Sequence, residues 1–228
     1  MRVLLFFLLI TGIIHAQVPT KRLLNFRVCY GNTQTLVVDS FYKLHQSDSI
    51  QIEELKFYVS GIRLWNGTKQ VWKEDQSFHL VDITQPSSMQ VSLAVPANLA
   101  FNYITFTLGI DSVTNVSGAL GGDLDPTKGM YWTWQSGYIN MKLEGTSNLC
   151  TTRNHTFQYH FGGYQYPYHV WQEVKLQVNK EQPLHVVFDV KKLMEQLDLV
   201  KQPEMMSPCR DAVLLSQQMV QFFKTEEK

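Results

Sequence analysis

The sequence predicts an all-β fold, a two-sheet β-sandwich with long loops and a C-terminal helix. Short stretches of alternating apolar and polar residues recur through most of the chain, turn residues separate them, and a helical period appears only near the C-terminus. Leu24, Phe26, Val28 and Tyr30 alternate with Asn25, Arg27 and Cys29, which is the pattern of a half-buried strand. Leu55, Phe57 and Val59 repeat it, Val91, Leu93 and Val95 run into Pro96, and Ile104, Phe106 and Leu108 stop at Gly109. Ile139, Met141 and Leu143 share one face of a strand that Gly145 ends, and Phe157, Tyr159 and Phe161 share one face of the next, with Gln158 and His160 opposite. Val174, Leu176 and Val178 are followed by Leu184, Val186, Phe188 and Val190, with Asn179 to Pro183 reading as the turn of a hairpin. The number of strands suits a sandwich. Ser207 before Pro208 reads as a helix start, after which Ala212, Leu215, Met219 and Phe222 recur at helical spacing. A shorter helical turn is expected around Lys191 to Leu197.

Arg2, the apolar run from Val3 to Ile14 and the small residue Ala16 form a secretory signal over residues 1–16, with cleavage expected between Ala16 and Gln17. The run is shorter than the ~20 apolar residues of a membrane span, and no second run follows, so a protein exported to the periplasm or secreted, with no membrane span, is expected. Residues 17–228 read as one domain. Twenty basic and 20 acidic residues without a basic stripe argue against nucleic acid as a partner. In an oxidising compartment Cys29, Cys150 and Cys209 predict one disulfide and one free thiol, and Cys150 with Cys209 would tie a loop to the C-terminal helix.

The segment Gly129-Met-Tyr-Trp-Thr-Trp-Gln-Ser-Gly-Tyr138 concentrates aromatic residues beyond what a sheet requires. If it is an extended strand, Trp132 and Trp134 lie on one side roughly 7 Å apart. They then form either a packed aromatic core or a site. The connection from Asp111 to Met130, rich in Gly, Asp and Ser, has the length of a functional or disordered loop. Within it, Asp123 to Gly129 imitates the start of a calcium loop, but the glycine is one place late and Trp134 stands where the closing Glu belongs, so it reads as a turn. No nucleophile elbow, His-Glu-x-x-His, phosphate loop or dinucleotide fingerprint occurs, which points away from an enzyme. Among the histidines, His160 stands out because it lies opposite the Phe157, Tyr159, Phe161 face and is followed by Phe161 and then by Gly162 and Gly163, which leave room for a ligand. An imidazole there suits copper or zinc. His79, opposite Phe78 and Leu80, contributes if its strand meets that of His160. Asn66, Asn115 and Asn154 head glycosylation sequons.

Five blocks together carry a family resemblance: LKFYVSGIRL (55–64), FHLVD (78–82), ITFTLGIDSVTNVSG (104–118), LDPTKGMYWTWQSGYINMKLEG (124–145) and FQYHFGG (157–163). They resemble the MbnP-like family, named for the methanobactin-associated periplasmic copper-binding protein, and are most similar to its Bacteroidetes-type members. The resemblance implies an exported β protein that binds copper through histidine and through a tryptophan oxidised to kynurenine by a partner di-haem peroxidase. Carried over by position, it points to Trp132 or Trp134 as the modified indole and to His160 as an imidazole ligand. No second histidine accompanies the tryptophans, where Gln135 and Ser136 follow. A different class of function uses the same residues: Trp132 and Trp134, extended by Tyr164, Tyr166 and Tyr168, as an aromatic recognition surface without metal, or as purely structural packing.

Overall fold

The computed structural model describes residues 19–31, 34–179 and 183–226, so the leader expected at 1–16 lies outside the described residues. In chain order the strands are β1 (Pro19–Tyr30), β2 (Gln34–Thr35), β3 (Phe41–Tyr42), β4 (Ile50–Asn66), β5 (Lys69–Lys73), β6 (Phe78–Asp82), β7 (Gln90–Pro96), β8 (Tyr103–Leu108), β9 (Tyr131–Trp132), β10 (Gly137–Ser147), β11 (Thr156–Gly162), β12 (Gln172–Gln177), β13 (Leu184–Asp189), β14 (Glu204–Met205) and β15 (Phe223–Thr225). Among the described residues three α-helices, α1 (Ser112–Val116), α2 (Val190–Met194) and α3 (Arg210–Met219), punctuate them. The strands form a five-stranded and a ten-stranded sheet, the predicted sandwich.

β4 is the spine of the larger sheet. Its 17 residues pair with β3, β5, β6, β8 and β10. The apolar alternation that predicts this strand slips twice, between Ile52 and Leu55 and between Val59 and Ile62, and each slip is an extra residue in the pairing with β10 or β8. Gly61, at φ +57°, supplies the backbone conformation the second bulge needs. In the smaller sheet β1 pairs in parallel with β13 and antiparallel with β7.

The two sheets meet on phenylalanine. Phe57 and Phe106 from the larger sheet pack edge-on against Phe26, and Phe57 packs in the same way on Phe188 and Phe223, at centroid distances of 5.8 to 6.1 Å. Phe188 and Phe223 stack at 4.6 Å.

The hairpin expected between Val174–Val178 and Leu184–Val190 does not form. β12 pairs with β8 in the larger sheet, whereas β13 sits between β1 and β15 in the smaller one. Flanked on both edges, β13 buries Val186, Val187 and Phe188 in succession, which a two-strand hairpin does not offer. The helix start also moves. Cys209, not Ser207, caps α3, its Sγ accepting from the Ala212 N–H at 3.4 Å. α3 ends at Met219, and after one further turn Phe223 enters β15, a strand with no sequence signal of its own. The short helix near 191–197 is present as α2. All three cysteines are free, contrary to the expected disulfide: Cys29 is buried in β1, Cys150 is buried beyond β10, and the Cys209 sulfur is engaged in its cap.

A second, smaller core lies on the outer face of the larger sheet. Tyr58, Leu80, Ile110, Leu124, Met130, Trp132, Tyr138 and Ile139 form it, separate from the main core. Ile139 reaches it because of a bulge at Asn140. Met141 pairs with Phe161 but Ile139 pairs with Gly162, so Ile139 leaves the face of Met141 and Leu143 on which the sequence places it. The long connection after Asp111 is therefore ordered, and folds down as a cover. Asp111 caps α1 by accepting from the Thr114 N–H at 2.8 Å. The buried Asn115 amide donates to the Ile110 and Asp111 carbonyls and accepts from the Tyr138 N–H at 2.8 Å. Its side chain is thereby withdrawn from the sequon in the folded protein. Gly109, at φ +111°, leaves room for Asn140, whose Oδ1 accepts from the Ile110 N–H. The Tyr58 hydroxyl donates to the Asp123 carbonyl, and the Asp123 carboxylate accepts from the Leu80 N–H, so Asp123 to Gly129 is a turn held to the sheet. No helix among the described residues is long and apolar enough to cross a membrane.

Two stability measurements follow from the two cores. Phe57→Ala should cost about 3–5 kcal/mol in denaturant unfolding, since it empties the inter-sheet cluster. Asn115→Ala should leave the Tyr138 N–H unpaired at a cost of about 1–3 kcal/mol. Its hydrogen exchange should accelerate across 110–138 and not in β1 or β13; uniform acceleration would show that the outer core is not a separate unit.

Candidate functional site

The aromatic segment is a hairpin tip and not one extended strand. β9 is two residues long, and Trp132 pairs with Gly137 across the four-residue turn 133–136, where Ser136 takes φ +52°. Alternation stops at Trp132, so Trp134 is not its same-side strand neighbour. Instead Trp134 folds back in the turn, and the indole centroids lie 5.5 Å apart, tilted by 41°. The expected choice between core and site divides between the two rings, with Trp132 6% exposed and Trp134 65% exposed. Gly137 holds the hairpin against its neighbour, since a Cβ there would stand 2.9 Å from the Tyr164 ring.

Trp132 is seated on Gly162, where a Cβ would come within 2.4 Å of its Cζ3. Gly162 and His160 lie two apart on β11, on the face opposite Phe157, Tyr159 and Phe161. Trp132, with Trp134 against it, therefore rests one same-face position along β11 from His160. The first of the two glycines after Phe161 makes room for the indole itself.

His160 is deeply set, its side chain 8% exposed. Its Nε2 lies 2.6 Å from Glu144 Oε1, while its Nδ1 is buried without a hydrogen-bond partner. Gln135 Oε1, in the hairpin turn, is likewise buried and unpartnered. Behind Glu144 runs a row of ion pairs across three strands, β10, β4 and β6. Lys142 lies 3.3 Å from Glu144 and 2.8 Å from Glu54, Lys56 lies 2.7 Å from Glu54, and Asp82 stands 3.5 Å from Lys56. The His160 hydrogen bond, with Lys142 adding, holds the Glu144 carboxyl below its ordinary value although burial opposes this. Burial also works against the charged Lys56, but Glu54 and Asp82 outweigh it and raise its ammonium above the ordinary value.

His79 does not join this group. β4 and β10 lie between β6 and β11, which sets the two histidines' strands about 14 Å apart. His79 also falls on the Val81 side of β6, opposite Asp82, and its Nε2 bonds Glu74 at 2.8 Å. With Lys56, Asp82, Asp123 and Lys128 it lines a separate cleft of about 590 Å³ that no tryptophan reaches. Sequence reasoning missed Glu144. Its only signal is an acidic residue on the strand next to His160, two positions after Lys142.

As a metal site the arrangement supplies one imidazole with a bare, buried nitrogen and a carboxylate behind it, which is how metal-binding histidines are commonly oriented. Among the described residues no three His, Cys, Asp or Glu side chains are placed to hold an ion together. The unmodified chain therefore offers a metal one histidine here, and any further donors would have to come from other groups.

Several large apolar residues of the segments near the hairpin are exposed. Val113 and Val116 of α1, Trp134 of the hairpin, and Tyr166 and Tyr168 of the loop after β11 are all exposed, Tyr166 to 92%. The Ser112 hydroxyl, donating to the Tyr164 carbonyl at 2.7 Å, ties α1 to this loop.

Comparison with known proteins accords with this architecture. No curated protein sequence matches the chain. The fold is similar to that of MbnP from Methylosinus trichosporium, with a TM-score of 0.59 and 16% sequence identity over 86% of this chain and 87% of that one. The MbnP family model matches residues 20–207, across both sheets, the covering segment and the tryptophan hairpin, and the chain belongs to the MbnP family.

Proposed function

We propose that this protein is an exported, non-catalytic copper-binding protein, with His160 as its imidazole ligand and Trp132, oxidised to kynurenine, as the second group of the site. The observation that carries this reading is the seating of Trp132 on Gly162, two residues from His160 on the same face of β11. Membership of the MbnP family supports a metal-handling role. The bare Nδ1 of His160 supplies a lone pair already stripped of water. Opening the indole ring of Trp132 exposes an aromatic amine and a ketone, two donors that intact tryptophan lacks. A di-haem peroxidase is the partner the family resemblance implies for that oxidation. Such a partner would meet the hairpin at the exposed Trp134, which is in ring contact with Trp132.

A second reading, recognition of a sugar or peptide on exposed rings, is favoured by the exposure of Trp134, Tyr166 and Tyr168. It excludes Trp132, which is buried.

Protein purified from its native host should show by intact mass the replacement of one carbon by one oxygen, mapped by peptide sequencing to Trp132. It should retain copper through dialysis, and His160→Ala should lose it. An unmodified mass together with no retained copper would remove the copper reading, and ligand-dependent quenching of Trp134 fluorescence would then favour the recognition surface. Gly162→Ala tests the seating itself. The added methyl should displace the Trp132 indole, shift tryptophan emission to longer wavelength and weaken copper retention while the main core stays folded; unchanged emission would show that Trp132 does not depend on Gly162.

A further inference from the structure

We propose that Glu144 is the positioning residue of this site: it holds His160 as the Nε2–H tautomer and thereby makes Nδ1 the atom that coordinates the metal. The coordinating half of this statement rests on the copper reading above; the tautomer does not.

The geometry assigns the proton. An ionised carboxylate only accepts hydrogen bonds, so a ring nitrogen 2.6 Å from Glu144 Oε1 must carry a hydrogen. Glu144 is kept ionised by its surroundings, with Lys142 at 3.3 Å on the same oxygen. That leaves Nδ1. A second proton there would place a donor of a charged ring in a buried position with no acceptor, the costlier of the two ways to leave a polar atom unpaired. Nδ1 therefore carries a lone pair.

Glu144 is itself held. Lys142 bridges it to Glu54, and Glu54 is bound from its other oxygen by Lys56. The side chains concerned are 15 to 22% exposed, so water competes little for them. On β10 and β11, Lys142 is directly opposite His160, which puts Glu144 diagonally across from the ring at a reach only a long side chain spans. Aspartate is one methylene short of that reach. The backbone register and the ion-pair row together fix the carboxylate, and the carboxylate fixes the ring.

Long-range proton–nitrogen correlation NMR on metal-free protein labelled in histidine ring nitrogens reads the tautomer directly. His160 should show a protonated Nε2 and a bare Nδ1, and a proton on Nδ1 would overturn the assignment. Copper(I) affinity, measured by competition with a chromophoric chelator on kynurenine-bearing protein, reads the consequence. Glu144→Leu should weaken binding about 10- to 100-fold, and Glu144→Gln, which keeps an acceptor oxygen, should weaken it less. Circular dichroism and thermal melting of each variant separate lost binding from lost fold, and if Glu144→Leu does not fold, the wild-type tautomer and Glu144→Gln decide. A folded Glu144→Leu that binds as the wild type does would overturn the positioning role. Wild-type protein that takes no copper, or takes it regardless of His160, overturns the copper reading and with it the role of Nδ1 as ligand, while the NMR result still decides whether Glu144 sets the ring.

Discussion

A single residue inserted in β10 determines which way the functional end of the molecule faces. Side chains on a strand alternate, so one extra residue transfers everything before it to the other face. Asn140 is that residue. Beyond it Met141 and Leu143 point into the sandwich, and before it Ile139 joins the second core on the outer face. Asn140 also secures the slip, by accepting from the Ile110 N–H in the space that Gly109 leaves open. The outward turn of Ile139 and Gly137 carries Trp132, the β9 partner of Gly137, over the outer face, where it comes to rest on Gly162. Without the bulge the hairpin would direct its apolar residues toward the main core, and Trp132 would not meet the face that carries His160.

That outer face is polar where the second core ends. Asp82, Glu54 and Glu144 alternate with Lys56 and Lys142, three carboxylates against two ammoniums, so the row carries one negative charge in excess. Half-buried ion pairs of this kind contribute little net stability, because the cost of removing each charge from water offsets much of the attraction. Their effect is geometric: five side chains hold one another in fixed positions from β6 to β10. The unbalanced charge favours a cation, and the His160 end is the one with an unpaired nitrogen to receive it. The cleft at the opposite end has the same kinds of side chain but no such atom. Lys56, Asp82, Asp123 and Lys128 are paired with one another or with neighbours.

Much of the fold was legible because alternation and turn residues are local signals. The strands around Phe26, Phe57, Phe106, Met141, Phe157 and Val174 follow from them, as does the sandwich. What local signals do not carry is the partner of each strand. Val174–Val178 and Leu184–Val190 satisfy every requirement of a hairpin except that their apolar faces are completed in different sheets. β15 was hidden because Phe222 and Phe223 continue the helical spacing of α3 by one turn. In the candidate site, the glycine after Phe161 and the opposite face of His160 were readable, and both proved to bear on the Trp132 seat. Trp132 and Trp134 do come together, but a tight turn and not the alternation of a strand brings the rings into contact. Glu144 had no motif to announce it, and its role comes from a diagonal contact between two strands that only the register reveals. His79 failed as a partner because the same register puts two strands between it and His160.

The division between the two tryptophans bears on why a site would be built with only one histidine. One imidazole does not retain copper against water and competing ligands; affinity requires further donors close by. On the copper reading these donors do not exist in the chain as translated, since Trp132 is an apolar ring in an apolar seat, and that seat is what a folding protein requires. On that reading oxidation afterwards would replace the ring by groups that bind metal, in a position already desolvated. Folding thus needs no buried polar cluster at Trp132, and metal affinity arises only once the fold is complete. Trp134, exposed and in ring contact with Trp132, leaves the buried indole within reach of an oxidant that never enters the core. The same arrangement explains why the chain spends a glycine at 162: a Cβ there would stand within 2.4 Å of the Trp132 ring and push the indole off its seat beside the His160 face of β11.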